Sequence, residues 1–316
     1  MSIIEKAAGK LEKEREAAAN INIIEKAADR LEKESAASAR PAAENSPRSL
    51  GPESVVEVNS RANAIDQDVS LGVSPISKQG TINLAKLRQA GIITPDEEKT
   101  QIAEEFRLIK RPLIKNAFSQ GPESIHNGNL IMVTSALAGE GKTFCAINLA
   151  MSIAMERDHT VLLIDADVAK PSMPAYLGLK AERGLLDVLI DDKLELADVM
   201  IRTNVDKLSI LTAGRRNKHA TELLASQSMS ELLKDIAHRY SDRIIIFDSP
   251  PLLLTSEARV LASQMGQIVL VVAAEKTPQQ TVKEALRQIE SCDVVNLIYN
   301  KASTFLGGEY YGYYYS

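Results

Sequence analysis

The stretch "LIMVTSALAGEGKTFCAINLAMSIAM", residues 130–155, decides the fold. Its first six residues form an apolar, β-branched run of strand length, and the residues from Lys142 onward carry an apolar helical pattern. Gly139 and Gly141 lie between them, where the chain must turn sharply. A strand that runs through a glycine loop into a helix aims the helix's unpaired N–H groups and positive dipole end at whatever the loop encloses. The spacing fits a phosphate-cradling P-loop, with Ala136 in the place of the usual first glycine. Ala138, Gly139, Glu140, Gly141, Lys142, Thr143 and Phe144 are therefore the expected nucleotide contacts. Lys142 is expected to reach the β and γ phosphates, and Thr143 to bind Mg²⁺.

Working outward, apolar strand-like runs alternate with helical ones: "VLLIDAD", "LSILTAG", a helix over 220–238, "RIIIFDSP", "IVLVVAA", a helix over 278–290 and "VVNLIY". Near-continuous Val/Ile/Leu strands separated by helices predict a doubly wound, mostly parallel α/β sheet of the P-loop NTPase type, covered on both faces. Ligands collect at the carboxyl ends of such strands. Asp165 and Asp248 end two of these strands and Asp167 follows just beyond, so all three acids are expected to converge on the P-loop.

Lys+Arg total 37 against Asp+Glu 42, a net charge of −5 that gives no reason to expect a nucleic-acid partner. Cys145 and Cys292 have no metal-ligand spacing and make a poor disulfide framework, which predicts a reducing cytoplasm. Cys145 is expected to be a small core residue whose closeness to the nucleotide could make it redox-sensitive. No apolar run approaches the roughly 18 residues of a membrane span, so a membrane connection is expected to come through a partner. His219 and His238 have no third ligand nearby and read as ordinary polar histidines.

The amino-terminal part is organised differently. "SIIEKAAGKLEK" (2–13) returns as "NIIEKAADRLEK" (22–33), each copy with a capping residue and a glutamate three positions on. Residues 1–34 are read as two short amphipathic helices that dock on a partner. Residues 35–80, rich in Ser, Ala and Pro, read as a linker, and 81–305 as the catalytic-type domain, including a helix over 101–116. The chain closes with "GGEYYGYYYS", which places Tyr310, Tyr311, Tyr313, Tyr314 and Tyr315 on a glycine-rich segment, 306–316, with no aliphatic neighbour among its last eight residues.

"SALAGEGKT", "VLLIDAD" and "IIIFDSPP" resemble the Walker A, A′ and B motifs of the bacterial tyrosine kinases, and the tyrosine-rich tail completes that pattern. "AGRRNKHATELLAS" (213–226) is similar as well, and within "EEFRLIKRPL" Glu104, Arg107 and Lys110 resemble the family's Glu-x-x-Arg-x-x-Arg subunit-contact motif, with lysine as the last member. The closest resemblance is to the soluble autokinases of exosortase-linked exopolysaccharide systems. It implies an ATP- and Mg²⁺-dependent kinase that phosphorylates its own tail tyrosines between subunits. Asp165 would assist deprotonation of the phenol, and Thr143, Asp167 and Asp248 would hold the metal. It further implies a homo-oligomer, a separate transmembrane polysaccharide co-polymerase as activator and a cognate phosphotyrosine phosphatase. Partition ATPases share the three motifs, but they carry a lysine early in the loop where this chain has Leu137, and they lack the tyrosine cluster.

Overall fold

The computed structural model describes residues 78–96, 100–180, 182–240 and 242–302. The expected amino-terminal helices, most of the linker and the tyrosine tail lie outside the described residues.

Eight strands form one sheet: β1 (Lys78–Gly80), β2 (Leu130–Ser135), β3 (Thr160–Asp165), β4 (Ile201–Thr203), β5 (Leu208–Leu211), β6 (Arg243–Asp248), β7 (Gln267–Ala273) and β8 (Val295–Asn300). Their order is β1-β4-β5-β3-β6-β2-β7-β8, and every pairing is parallel except β4 with β5. Among the described residues the helices are α1 (Leu84–Gln89), α2 (Gln101–Ala117), α3 (Lys142–Ala154), α4 (Met173–Leu177), α5 (Leu185–Ile190), α6 (Leu196–Val199), α7 (Ala220–Leu224), α8 (Gln227–Arg239), α9 (Ser256–Ala262) and α10 (Gln279–Arg287).

The central strands are buried on both faces, and their side chains alternate between two cores. Ile131, Val133, Val161, Leu163, Ile244 and Ile246 face a core shared with α2 and α3. Leu130, Met132, Leu162, Ile164, Ile245 and Phe247 face the other, closed by α5 to α10. This double burial explains why the strands read as unbroken apolar runs. It also fixes register, because a slip of one residue would exchange the two sets. In the β3/β6 pairing the register places Asp165 directly opposite Asp248.

Two local readings change. The expected helix over 220–238 is two helices, because Ser226 caps a new one: its hydroxyl accepts from the Met229 N–H at 3.2 Å and donates to the Leu223 carbonyl at 2.7 Å. The last three residues of the expected linker form β1, a short edge strand with no apolar pattern of its own. It is fixed from a distance by Asn204, whose amide accepts from the Ile82 N–H at 2.7 Å and donates to the Ile82 carbonyl at 3.1 Å.

Phe247 is the largest wholly buried side chain and precedes Asp248 on β6. Phe247→Ala should lower stability by about 3–5 kcal/mol, read as a lower midpoint at unchanged slope in urea denaturation.

Candidate functional site

The P-loop leaves β2 and enters α3 at Lys142. Gly139 and Gly141 adopt left-handed backbone, φ +82° and +102°. At Gly141 a Cβ would also collide with the Asn300 side-chain amide, so the position is closed to other residues on two counts. Ala138, Gly139, Gly141, Lys142, Thr143 and Phe144 line a cavity of about 810 Å³, within the range of roughly 300–1,000 Å³ usual for small-molecule sites.

Glu140 behaves differently from its neighbours. Its carboxylate is buried and turned into the protein, where Oε2 accepts from the Leu137 N–H at 2.6 Å. Oε1 accepts from the Ala273 N–H at 3.3 Å and from the Thr277 hydroxyl. Glu140, expected as a nucleotide contact, thus turns its side chain away from the cavity and braces the loop against the end of β7. From β8, Asn300 donates to the Glu140 carbonyl at 2.8 Å and Lys301 to the Gly139 carbonyl at 2.6 Å. Both residues line the cavity. Sequence reading passed over them, although the carboxyl end of a strand was a signal that could have found them.

The acids converge as expected. Lys142 Nζ lies 2.7 Å from Asp167 Oδ2 and 3.9 Å from Asp248 Oδ1. Asp165 Oδ1 accepts from the Asp167 N–H at 3.2 Å, whereas Asp165 Oδ2 and both oxygens of Asp248 have no donor in close hydrogen-bond geometry, although the Thr143 hydroxyl acts on Asp248. Burial pushes the Asp165 carboxyl up to about 7, and the charges of Asp248 and Asp167 act in the same direction. Burial likewise pushes Asp248 up to about 6, against the opposing pull of the Lys142 ammonium and Thr143. For Lys142 burial acts downward, but Asp248, Asp167 and Asp165 together outweigh it and raise its pKa. Asp167 forms part of the cavity wall; Asp165 and Asp248 stand behind it, fully buried.

This donor set fits a hydrated divalent cation held beside phosphates. Carboxylate oxygens without a close donor and the Thr143 hydroxyl, 3.3 Å from Ser172 Oγ, are hard oxygen ligands. Among the described residues no three His, Cys, Asp or Glu form a cage of their own. The remaining ligands would be phosphate oxygens and water, the usual way Mg²⁺ is held.

On α2, Glu104 is exposed and pairs with the half-buried Arg107 at 2.5 Å. Lys110 is not beside them on the surface. It is buried, donates to the Ser152 carbonyl at 2.6 Å and pairs with Glu156 at 2.7 Å. The expected contact role of Lys110 is thus replaced by a bond within the chain, while Arg111 is exposed. Cys145 is buried in the α3 core, and burial together with Asp248 pushes its thiol up to about 12.

The fold and this site define a P-loop nucleotide-binding protein. A family profile described as an AAA domain matches residues 128–299. The chain is 31% identical over 234 residues to the tyrosine-protein kinase YwqD of Bacillus subtilis, an alignment covering 73% of this chain and 94% of that one. It is also 30% identical to the succinoglycan biosynthesis transport protein ExoP of Rhizobium meliloti, of which it spans 27%. The crystal structure of the VpsO kinase domain matches with a TM-score of 0.53 at 29% identity, covering 64% of this chain and 96% of that domain. The chain belongs to the bacterial tyrosine-protein kinases.

Two outcomes follow from the site's electrostatics. Asp165 has its pKa raised on folding, so the stability it contributes is full below about pH 4 and is lost as pH rises to about 7. In the protein freed of nucleotide and divalent cation, Asp165→Asn should therefore raise Tm, by a margin that grows from about pH 4 to about pH 7 and is flat above. Calorimetry across that range measures it. The Cys145 thiol, buried and neutral, should resist iodoacetamide at pH 8 in the native protein and react on denaturation, as read by peptide mass.

Proposed function

We propose that this chain is an ATP- and Mg²⁺-dependent tyrosine autokinase that transfers the γ-phosphate of ATP to the tail tyrosines Tyr310, Tyr311, Tyr313, Tyr314 and Tyr315, between subunits, and thereby regulates exopolysaccharide polymerisation or export. The observation that carries the reading is the Lys142 ammonium set among three strand-end carboxylates, two of them with oxygens that have no close donor, in a chain that ends in a tyrosine cluster.

Bound Mg·ATP supplies the transferable phosphoryl group and the cation that offsets its charge. Lys142 exchanges Asp167 for the phosphates and neutralises charge as it builds up, and the P-loop amides share that load. Thr143, Asp167 and Asp248 would offer the oxygens that hold the cation, directly or through water. The phenol oxygen forms its bond to the γ-phosphorus as the bond to the β,γ-bridging oxygen breaks, and that oxygen leaves with the electron pair on ADP. Asp165 is assigned to assist removal of the phenolic proton from behind Asp167, because its own carboxylate does not line the cavity. An ordinary phenol has a pKa near 10, so its deprotonation at neutral pH needs the help that is assigned here to Asp165.

Glu104, Arg107 and the exposed Leu108 supply a face for self-assembly. Among the described residues no helix is long and apolar enough to cross a membrane. We therefore assign membrane recruitment of a cytoplasmic kinase to a separate transmembrane co-polymerase, and removal of the phosphates to a cognate phosphatase.

Purified protein incubated with Mg·ATP should gain phosphate on its last peptide. Lys142→Met should lower the rate by at least about 10²–10³-fold and Asp165→Asn by about 10²–10⁴-fold, both by phosphopeptide mass spectrometry. Steady ATP hydrolysis with an unmodified tail would refute the reading.

A further inference from the structure

The cavity extends beyond the groups that can hold phosphate. Lys142 points its amine toward Asp167 and Asp248, on the β3–β6 side of the P-loop, so the terminal phosphate belongs there. Asn300 and Lys301 lie at the opposite, β8 side. On the β3–β6 side, the cavity wall also carries the apolar Tyr176, Pro251 and Leu254, which follow β3 and β6 in the chain. Tyr176 is 48% and Leu254 59% exposed, two of only seven large hydrophobic side chains so exposed among the described residues. Both share one cavity, which isolated surface hydrophobes would not need to do.

Both also stand on anchored backbone. Tyr176 rides on α4, pinned by the buried Met173 and Leu177. The loop that carries Leu254 is strapped to the base of the P-loop. Thr134 donates its hydroxyl to the Pro250 carbonyl at 2.8 Å, the Leu252 N–H reaches the Ser135 carbonyl at 2.8 Å, and the Leu254 N–H closes a turn on Pro251 at 3.3 Å. Apolar groups held rigidly in water beside a phosphoryl-transfer site are preorganised for a partner with an apolar body.

We infer that Tyr176 and Leu254 form an acceptor lip that grips the ring of a tail tyrosine from a second copy of this chain and directs its hydroxyl toward Asp167. A phenol matches this wall, with a flat apolar ring ending in one polar atom. Serine and threonine have no ring to fill it, so the lip also accounts for selection of tyrosine. The second copy is favoured by where the tail begins. Lys301, bonded to the Gly139 carbonyl, sits four strand positions from β3, roughly 19 Å at about 4.8 Å per strand. Tyr310 follows Ala302 by eight residues, a reach of at most about 29 Å, which is long enough for the span, but the straight line from the β8 side to the lip runs over the P-loop, where a bound nucleotide would lie.

The inference rests on the kinase reading above, and one assay separates the two. The enzyme is the full chain with all five tail tyrosines changed to serine; the acceptor is full chain carrying Lys142→Met and an intact tail. Tyr176→Ala and Leu254→Ala, each placed in the enzyme copy, should raise KM for the acceptor about tenfold while KM for ATP stays within about twofold. Tyr176→Phe should retain the unaltered acceptor KM. An unchanged acceptor KM in both alanine variants overturns the lip and leaves the kinase standing. An equal rise in KM for ATP also overturns it, since the wall would then be serving the nucleotide. If the enzyme with an unaltered lip transfers no phosphate to the acceptor, transfer between copies fails and the lip fails with it.

Discussion

One lysine ammonium facing three buried carboxylates sets the terms for the rest of this molecule. Lys142 alone cannot neutralise Asp165, Asp167 and Asp248, and two of them keep buried oxygens with no donor in close hydrogen-bond geometry. In a low-dielectric site such an imbalance is relieved by a proton or by a cation. The raised pKa values of Asp165 and Asp248 are the first remedy. A divalent cation would be the second, and it reverses the local logic: with two more positive charges present, all three acids can ionise together. Clustering these acids is thus costly in a way that a cation would offset, and the cost is built in by strand register, because β3 pairs with β6 so that Asp165 meets Asp248.

Such a cluster is useful only if the P-loop keeps its shape as Lys142 changes partners. Two elements outside the motif provide this. Glu140 accepts from Leu137 within the loop, from Ala273 at the end of β7 and from Thr277 just beyond it, and Asn300 and Lys301 hold the loop's carbonyls from the end of β8. The loop carbonyls cannot bind phosphate, so satisfying them from β8 leaves the amides free for it. Lys301 is also the penultimate described residue, which makes the root of the tyrosine tail part of the wall of the P-loop cavity.

What could be read in advance divides along the range of the interactions involved. The strands, the P-loop and the three aspartates were legible because each is local: an apolar run, a glycine spacing, an acid at a strand's end. Lys142, Thr143, Asp165, Asp167 and Asp248 all meet where that reading placed them. Glu140 looked like any residue of a phosphate loop, and its turn inward depends on Thr277, 137 positions away. β1 exists because Asn204 and β4 offer it a place, and three residues reading Lys-Gln-Gly carry no signal of their own. The helix break at Ser226 was visible in principle, since serine is a strong cap, but the surrounding helical period concealed it.

Lys110 shows how a motif resemblance can mislead in its last member. A lysine's flexible stem and compact ammonium can bury along apolar surface and present the charge at a distance. Here that charge reaches the Ser152 carbonyl and Glu156, at the far end of α3. Arginine, with its planar fork, is the residue suited to spanning a surface contact, and the exposed guanidinium nearest in sequence belongs to Arg111. The substitution therefore exchanges a surface donor for a tie between two helices, and the tie has a direction. α3 begins at Lys142, so the helix that carries Glu104, Arg107 and Leu108 is tied to the same helix that starts at the P-loop lysine. If that helix is where copies meet, a shift of α2 on assembly would be transmitted along one continuous helix to the P-loop, without any need for a loop or hinge between them.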